Sequence, residues 1–248
     1  MLTQVLIHKG NIMLPKLDKP TFEMTMPSQK KTVRFRPFLV KEEKILLTAQ
    51  QSESEKDIIY GIKQVLTNCA QDPDFNVDKL TTFDLEYMFL KLRAKSVNNI
   101  VDVSYRDIED DKVYDFKINL DEVEVTFPDV EISNKIPITD TIGIIMKYPS
   151  VTILDNIPEN VSATDVVDYL IRSCIDTIYD EDTVYPVADH PEEEVTEFLD
   201  SIDVAAFNKI RYFLDNLPKL SHKLEYKNSL GNTRTIQLET LRDFFTWG

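Results

Sequence analysis

Residues 30–44, K-K-T-V-R-F-R-P-F-L-V-K-E-E-K, constrain the fold more tightly than any other stretch. Val33 and Phe35 alternate with Arg34 and Arg36, the period of a strand with one apolar face and one guanidinium face. Pro37 has no N–H to give to a ladder, so the strand ends there or lies at a sheet edge. Lys41, Glu42, Glu43 and Lys44 then open a helical pattern through Ile45, Leu46 and Leu47. A basic edge strand feeding a helix is either a docking element or an ordinary joint with two solvated arginines. As a docking element it would touch a partner through Arg34, Phe35, Arg36 and Phe38.

The charge is placed unevenly. Residues 1–41 hold eight Lys or Arg and two acids, a net of +6, so residues 42–248 carry −21 of the total −15. An acidic body argues against general nucleic-acid binding, which needs a basic footprint to displace counterions. The basic arm could touch phosphates, and an acidic protein surface, its own body included, fits equally well. The chain of 248 residues is long enough for one large domain or two modest ones. With only 5 Gly it has no phosphate-cradling glycine pattern. No apolar run approaches a bilayer span, so no membrane role is expected. Residues 1–10 are too short and polar for a signal peptide. Cys69 and Cys174 lie far apart and are expected to be reduced thiols in a cytosolic setting.

Along the chain, Pro15, Pro20 and Pro27 keep the first 29 residues extended. Two helices split near Ser52 and Ser54, the second over about 55–69 with Cys69 at its apolar end. Residues 71–79 form an acidic loop whose spacing does not fit an EF-hand. Thr81 with Asp84 forms a capping box for a strong helix that buries Leu85, Met88, Phe89 and Leu92. A hairpin follows, with Val101, Val103 and Tyr105 going out and Tyr114, Phe116 and Ile118 returning. A third strand, Val123, Val125 and Phe127, ends at Pro128. Residues 141–153 read as a buried strand or a short helix.

Ser162 and Asp165 form a second capping box. Val167, Leu170, Ile171, Cys174, Ile175 and Ile178 continue it as one helical stripe. Residues 176–203 contain eleven acids and no Lys or Arg, including Glu192, Glu193 and Glu194 after Pro191. Acids suit a first helical turn, and this face is also the best negative docking surface on the chain. Asp203 caps the next helix. A hairpin turning at N-S-L-G-N and a short closing helix complete the chain. Three regions result: an extended basic arm and edge strand (1–40), helices with a hairpin (41–140), and an acidic helical region with a C-terminal hairpin (141–248). The fold class is α+β, helices with small antiparallel hairpins. The two halves read as similar, through duplication or through hairpins that arose independently.

The search for chemistry is negative. His8, His190 and His222 are scattered without zinc-site spacing, and there is no G-x-S-x-G elbow. With 43 acids some carboxylates must lie close, so proximity alone says nothing about catalysis. No catalytic, cofactor or metal residue is assigned, and the chain is expected not to be an enzyme.

Residues 14–44, 81–97 (T-T-F-D-L-E-Y-M-F-L-K-L-R-A-K-S-V), 213–222 (F-L-D-N-L-P-K-L-S-H) and the closing L-E-T-L-R-D-F-F resemble the baseplate hub subunit family of T-even-type contractile-tail phages. The resemblance implies a non-enzymatic protein that helps build the central hub by binding other hub proteins. It implies work in the host cytoplasm during assembly, as an assembly factor or as a permanent subunit of the tail baseplate. It also implies Cys-x-x-Cys pairs at the hairpins in some relatives, like small zinc ribbons. Residues 105–112 and 226–233 contain no Cys, so zinc is not carried over and polar turn residues are expected to hold these hairpins. Loss of Arg34 and Arg36 together is expected to spare the fold and weaken hub binding.

Overall fold

The computed structural model of the chain describes residues 18–52, 54–128, 132–157 and 162–244. Strands β1 (Phe22–Thr25) and β2 (Thr32–Phe35) form an antiparallel hairpin with Met24 opposite Val33. β2 stops short of Pro37, as the missing donor requires. Its outer edge is covered: the Arg36 N–H donates to the Cys69 carbonyl at 3.0 Å and the Gln71 N–H to the Arg34 carbonyl at 2.8 Å.

Helices α1 (Val40–Gln51), α2 (Glu55–Cys69) and α3 (Thr82–Ser96) follow. The Ser54 hydroxyl caps α2 by accepting the Asp57 N–H at 3.3 Å, and Thr81 caps α3 by accepting the Asp84 N–H at 3.2 Å. Asp84 is aimed elsewhere than a capping box would place it. Its carboxylate accepts the Ser28 N–H at 2.9 Å and the Ser28 hydroxyl, which ties the β1–β2 turn to α3. α3 is buried on more than the one expected face, with Phe83, Leu90 and Ala94 inside as well. It is the central rod of the first core.

Strands β3 (Ile100–Arg106) and β4 (Val113–Asn119) form the next hairpin, followed by β5 (Glu124–Thr126). The undecided stretch 141–153 contains both structures. After β6 (Lys135–Pro137) come β7 (Gly143–Met146) and the short helix α4 (Val151–Asp155). Glycine is required at 143, where a Cβ would run into the Tyr179 ring and come within 2.8 Å of the Ile136 carbonyl. Helix α5 (Ala163–Cys174) starts with the expected Ser162–Asp165 capping box. It ends earlier than the apolar stripe suggests. Ile175 begins strand β8 (Ile175–Tyr179), whose β-branched run I-D-T-I-Y favours the pleated conformation. Strand β9 (Val184–Pro186) completes a four-stranded antiparallel sheet, β6-β7-β8-β9.

Helices α6 (Glu192–Ser201) and α7 (Val204–Asp215) pack beside it, with Asp203 capping α7 through the Ala206 N–H at 2.7 Å. Strands β10 (Lys219–Lys227) and β11 (Thr233–Leu238) and helix α8 (Leu241–Phe244) close the fold. β10 lies between β11 and β5.

The buried side chains form two clusters. One holds Val33, Phe35, Val65, Leu66, Met88, Leu92 and Leu120, joined by Leu220, Leu238, Leu241 and Phe244 from the end of the chain. The other holds Ile136, Ile144, Met146, Ile171, Cys174, Ile175, Ile210 and Phe213. The C-terminal hairpin therefore shares a core with the first hundred residues, and the four-stranded sheet with its helices lies between in sequence. Tyr148 lies between Phe83 of α3 and Phe213 of the second cluster, with ring centroids 5.3 and 6.0 Å away. Lys63 adds a polar tie, reaching Asp155 at 2.6 Å and Asp78 at 2.8 Å.

Candidate partner-binding surfaces

The strand–helix joint sorts its side chains into two kinds. Phe35 is fully buried and meets Phe75 edge-on with centroids 5.3 Å apart, and Phe38 is buried too. Arg36 is turned inward. Its guanidinium donates to Glu42 Oε1 at 2.9 Å, to the Asn68 carbonyl at 2.8 Å and to the Pro37 carbonyl at 3.0 Å. Glu42 has no exposed side-chain surface and also accepts the Leu39 N–H at 2.9 Å, which caps α1. Burial pushes the Glu42 carboxyl up. The Arg36 guanidinium, the Leu39 N–H and Lys41 more than offset this, leaving it below its ordinary value. Only Arg34 keeps a largely open side chain, at 60% exposure, in a bidentate bond to Asp72 Oδ1 at 3.0 and 2.9 Å. The Arg34 N–H, and then its guanidinium, hold the Asp72 carboxyl below the usual range. Phe35, Arg36 and Phe38 thus serve the core and the α1 cap. Arg34 alone among the four presents to solvent.

Glu192, Glu193 and Glu194 are exposed in the first turn of α6. Glu192 pairs with Arg172 of α5 at 3.0 Å and Glu194 with His190 at 3.1 Å. They lie far along the chain from Arg34, and no bond joins the two sets among the described residues.

A third surface had no sequence signature. Between α5 and α7 lies an open groove of about 710 Å³. Its floor and walls include Val167, Leu170, Ile171, Phe207, Leu214 and Leu217, and Asp168, Arg211 and Asp215 stand among them. Val167 is 44% exposed. The stripe that positions these side chains was legible on each helix. That the two stripes leave a gap between them is a tertiary fact.

The two long hairpins are locked together at their turns. Tyr226 packs on Tyr114 and Phe116, with centroids 4.8 and 5.3 Å away, and its hydroxyl donates to Asp107 Oδ2 at 2.5 Å. Arg234 reaches the same carboxylate at 3.3 Å. Glu109 accepts from the side-chain amides of Asn228 and Asn232 at 2.6 and 2.7 Å. Asp110 accepts the Ser229 N–H at 2.9 Å and the Tyr114 hydroxyl at 2.6 Å. The Tyr226 hydroxyl first, with the Glu109 N–H and Arg234, keeps Asp107 ionised below its ordinary range against the cost of its burial. The turns themselves are built for this. Asp111 and Gly231 adopt the left-handed conformation at φ 56° and 85°, which folds each turn back on its hairpin. Polar turn residues hold these hairpins, as expected for a chain without the cysteines.

These features define an α+β protein of two linked cores, braced by a hairpin-to-hairpin clamp and carrying a charged face and an apolar groove. The chain belongs to the T4 bacteriophage base plate protein family, whose model matches residues 19–246. No curated protein and no solved structure matches it. It is a phage baseplate protein with a structural or assembly role. Among the described residues no helix is long and apolar enough to cross a membrane.

Proposed function

We propose that this chain is a non-enzymatic assembly protein of the central baseplate hub, and that it works by binding other hub proteins. The observation that carries the reading is the groove between α5 and α7. An apolar trough with a few charged residues is what an amphipathic helix of a partner fills in helix-in-groove recognition. The exposed acids of α6, Glu192 to Glu194, of which Glu192 is tied to α5 through Arg172, suit a partner segment with basic flanks. Arg34 offers a separate exposed contact on the first core.

The thiols fit a binding role better than a chemical one. Burial pushes both Cys69 and Cys174 up to about 11, so neither is a thiolate near neutral pH. Two observations bear on how long the protein stays bound. A net charge of −15 suits a transient, polar encounter, whereas an apolar groove suits a lasting one. The second is the ground for the alternative, a permanent subunit of the mature hub.

Val167→Asp tests the groove, because Val167 lines it while half exposed and its loss spares the core. In calorimetric titrations with purified hub proteins, the variant should keep its fold and weaken binding by about tenfold or more. Wild-type affinity in the folded variant would remove the groove from the account.

A further inference from the structure

Strand β11 ends its sheet, and its outer edge pairs with no described residue. The ladder fixes which groups lie there. The Asn228 N–H donates to the Asn232 carbonyl at 3.0 Å, so 228 and 232 are a hydrogen-bonded pair. Antiparallel alternation then makes 226/234, 224/236 and 222/238 bonded pairs as well. Thr233, Thr235 and Gln237 therefore point their N–H and carbonyl groups away from β10, and all three residues are exposed. Three consecutive outward donor–acceptor sets form a template for another strand.

Other free edges in this protein are defended against such pairing. The β3–β4 hairpin carries Asp102, Arg106, Asp115 and Lys117. β6 has Lys135 and Pro137, β9 has Pro186, and β1 has Glu23. The part of β10 that runs beyond β5 exposes Lys223, Glu225 and Lys227. β5 is only three residues long. Charge, proline and brevity are the usual means of blunting an edge. β11, T-R-T-I-Q-L, has none of them at its outward positions. Its one charge, Arg234, is drawn into the clamp by Asp107 and Glu109.

We propose that β11 is the seam of a two-fold dimer, in which β11 of a second copy adds antiparallel with Thr235 opposite Thr235. This register alone engages all three outward residues of both strands, as Thr233 opposite Gln237, Thr235 opposite itself, and Gln237 opposite Thr233. It makes about six backbone hydrogen bonds. Its facing side-chain pairs, Thr–Thr, Thr–Gln and Arg–Ile, place no like charges together, and such a self-complementary interface is the commonest kind of dimer. The sheet would run on through both copies, β5-β10-β11 against β11-β10-β5. The seam is uncharged while the bodies repel at −15 each, so the dimer should tighten as salt screens that repulsion, the opposite of an ionic association.

Analytical ultracentrifugation of the full chain at micromolar concentration tests this. The wild type should sediment at twice the chain mass of 28.8 kDa. Thr235→Arg puts two guanidinium groups face to face, and Thr235→Pro removes an outward N–H that β10 does not use. Each should weaken the dimer by about tenfold or more. Thr235→Cys should oxidise to a covalent dimer that reductant reverses, since opposed residues in a bonded pair have Cα atoms about 5.5 Å apart. The native Cys69 and Cys174 are buried and give no such band. A wild type that stays monomeric overturns the proposal. So does a dimer that is indifferent to Thr235→Arg and does not cross-link through Thr235→Cys, which would place the interface elsewhere or on another protein's strand. If Thr235→Pro fails to fold, the other two variants decide.

Discussion

Arg34 and Arg36 are two positions apart, Arg34 inside β2 and Arg36 just past its end, and they do different work. Arg36 is the main partner of a carboxylate with no solvent access, so Arg36→Ala leaves Glu42 buried with only the exposed Lys41 and the Leu39 N–H. Breaking such a pair should cost about 3 kcal/mol or more, read as a lower urea midpoint. Arg34→Ala, by contrast, should leave the midpoint nearly unchanged, because the Arg34–Asp72 bridge is open to water. The double substitution should therefore destabilise the fold, and Arg34→Ala is the cleaner probe of binding. Sequence periodicity puts both arginines on one strand face, but β2 ends at Phe35, and Arg36 lies beyond it with its side chain turned inward. It could not show that Glu42, six residues on, would close over one of them.

Glu86 supplies a pH signature at the same scale. Burial pushes its carboxyl up to about 7 against the Leu241 N–H that favours the charged form, and the nearby Asp243 adds to the rise. A glutamate in the unfolded chain titrates near 4.5. Between those values the folded state holds a proton that the unfolded state has released, so Glu86 makes stability fall as pH rises through that window. Glu86→Gln should stabilise the protein by about 2 kcal/mol at pH 8 and give no gain at pH 4. Denaturant titrations at the two pH values check the sign.

Among the elements, local signals were read well where the pattern itself decides. Ser54 and the stripe of α2 gave that helix its bounds, and the alternation of Val101, Val103, Phe116 and Ile118 gave the first long hairpin. The passage from α5 to β8 was missed because Cys174, Ile175 and Ile178 satisfy a helical stripe and a buried strand equally. The clamp between the hairpins left no local trace, since Glu109 and Asn228 are 119 residues apart. It should behave as one unit. Asp107 and Asp110 are both held below the ordinary carboxylate range. The clamp is therefore intact above that range and is lost as pH falls through their depressed values. At neutral pH Asp107→Asn should lower the melting temperature by roughly 5 °C. The near-ultraviolet signal of the tyrosines around Tyr226 should change with it. A variant with unaltered melting would make the clamp ornamental.

For the whole molecule, the α+β class was legible, and the residues in the resembling stretches pointed to the family that the match over 19–246 establishes. What the sequence concealed was how the chain closes. Leu220, Leu238 and Phe244 return to a core begun by Val33 and Phe35, leaving the sheet of β6 to β9 and its groove as a body between the two ends. A partner bound in that groove would lie among Asp168, Arg211 and Asp215, and one bound at Arg34 would meet a guanidinium already paired with Asp72.

The most direct test of that account is quantitative mass spectrometry of purified mature phage particles beside lysate and tail intermediates from infected cells. An assembly protein should be abundant in the lysate and in hub intermediates and missing from finished particles. Stoichiometric presence in the particles would contradict the assembly reading and make this chain a permanent subunit of the hub.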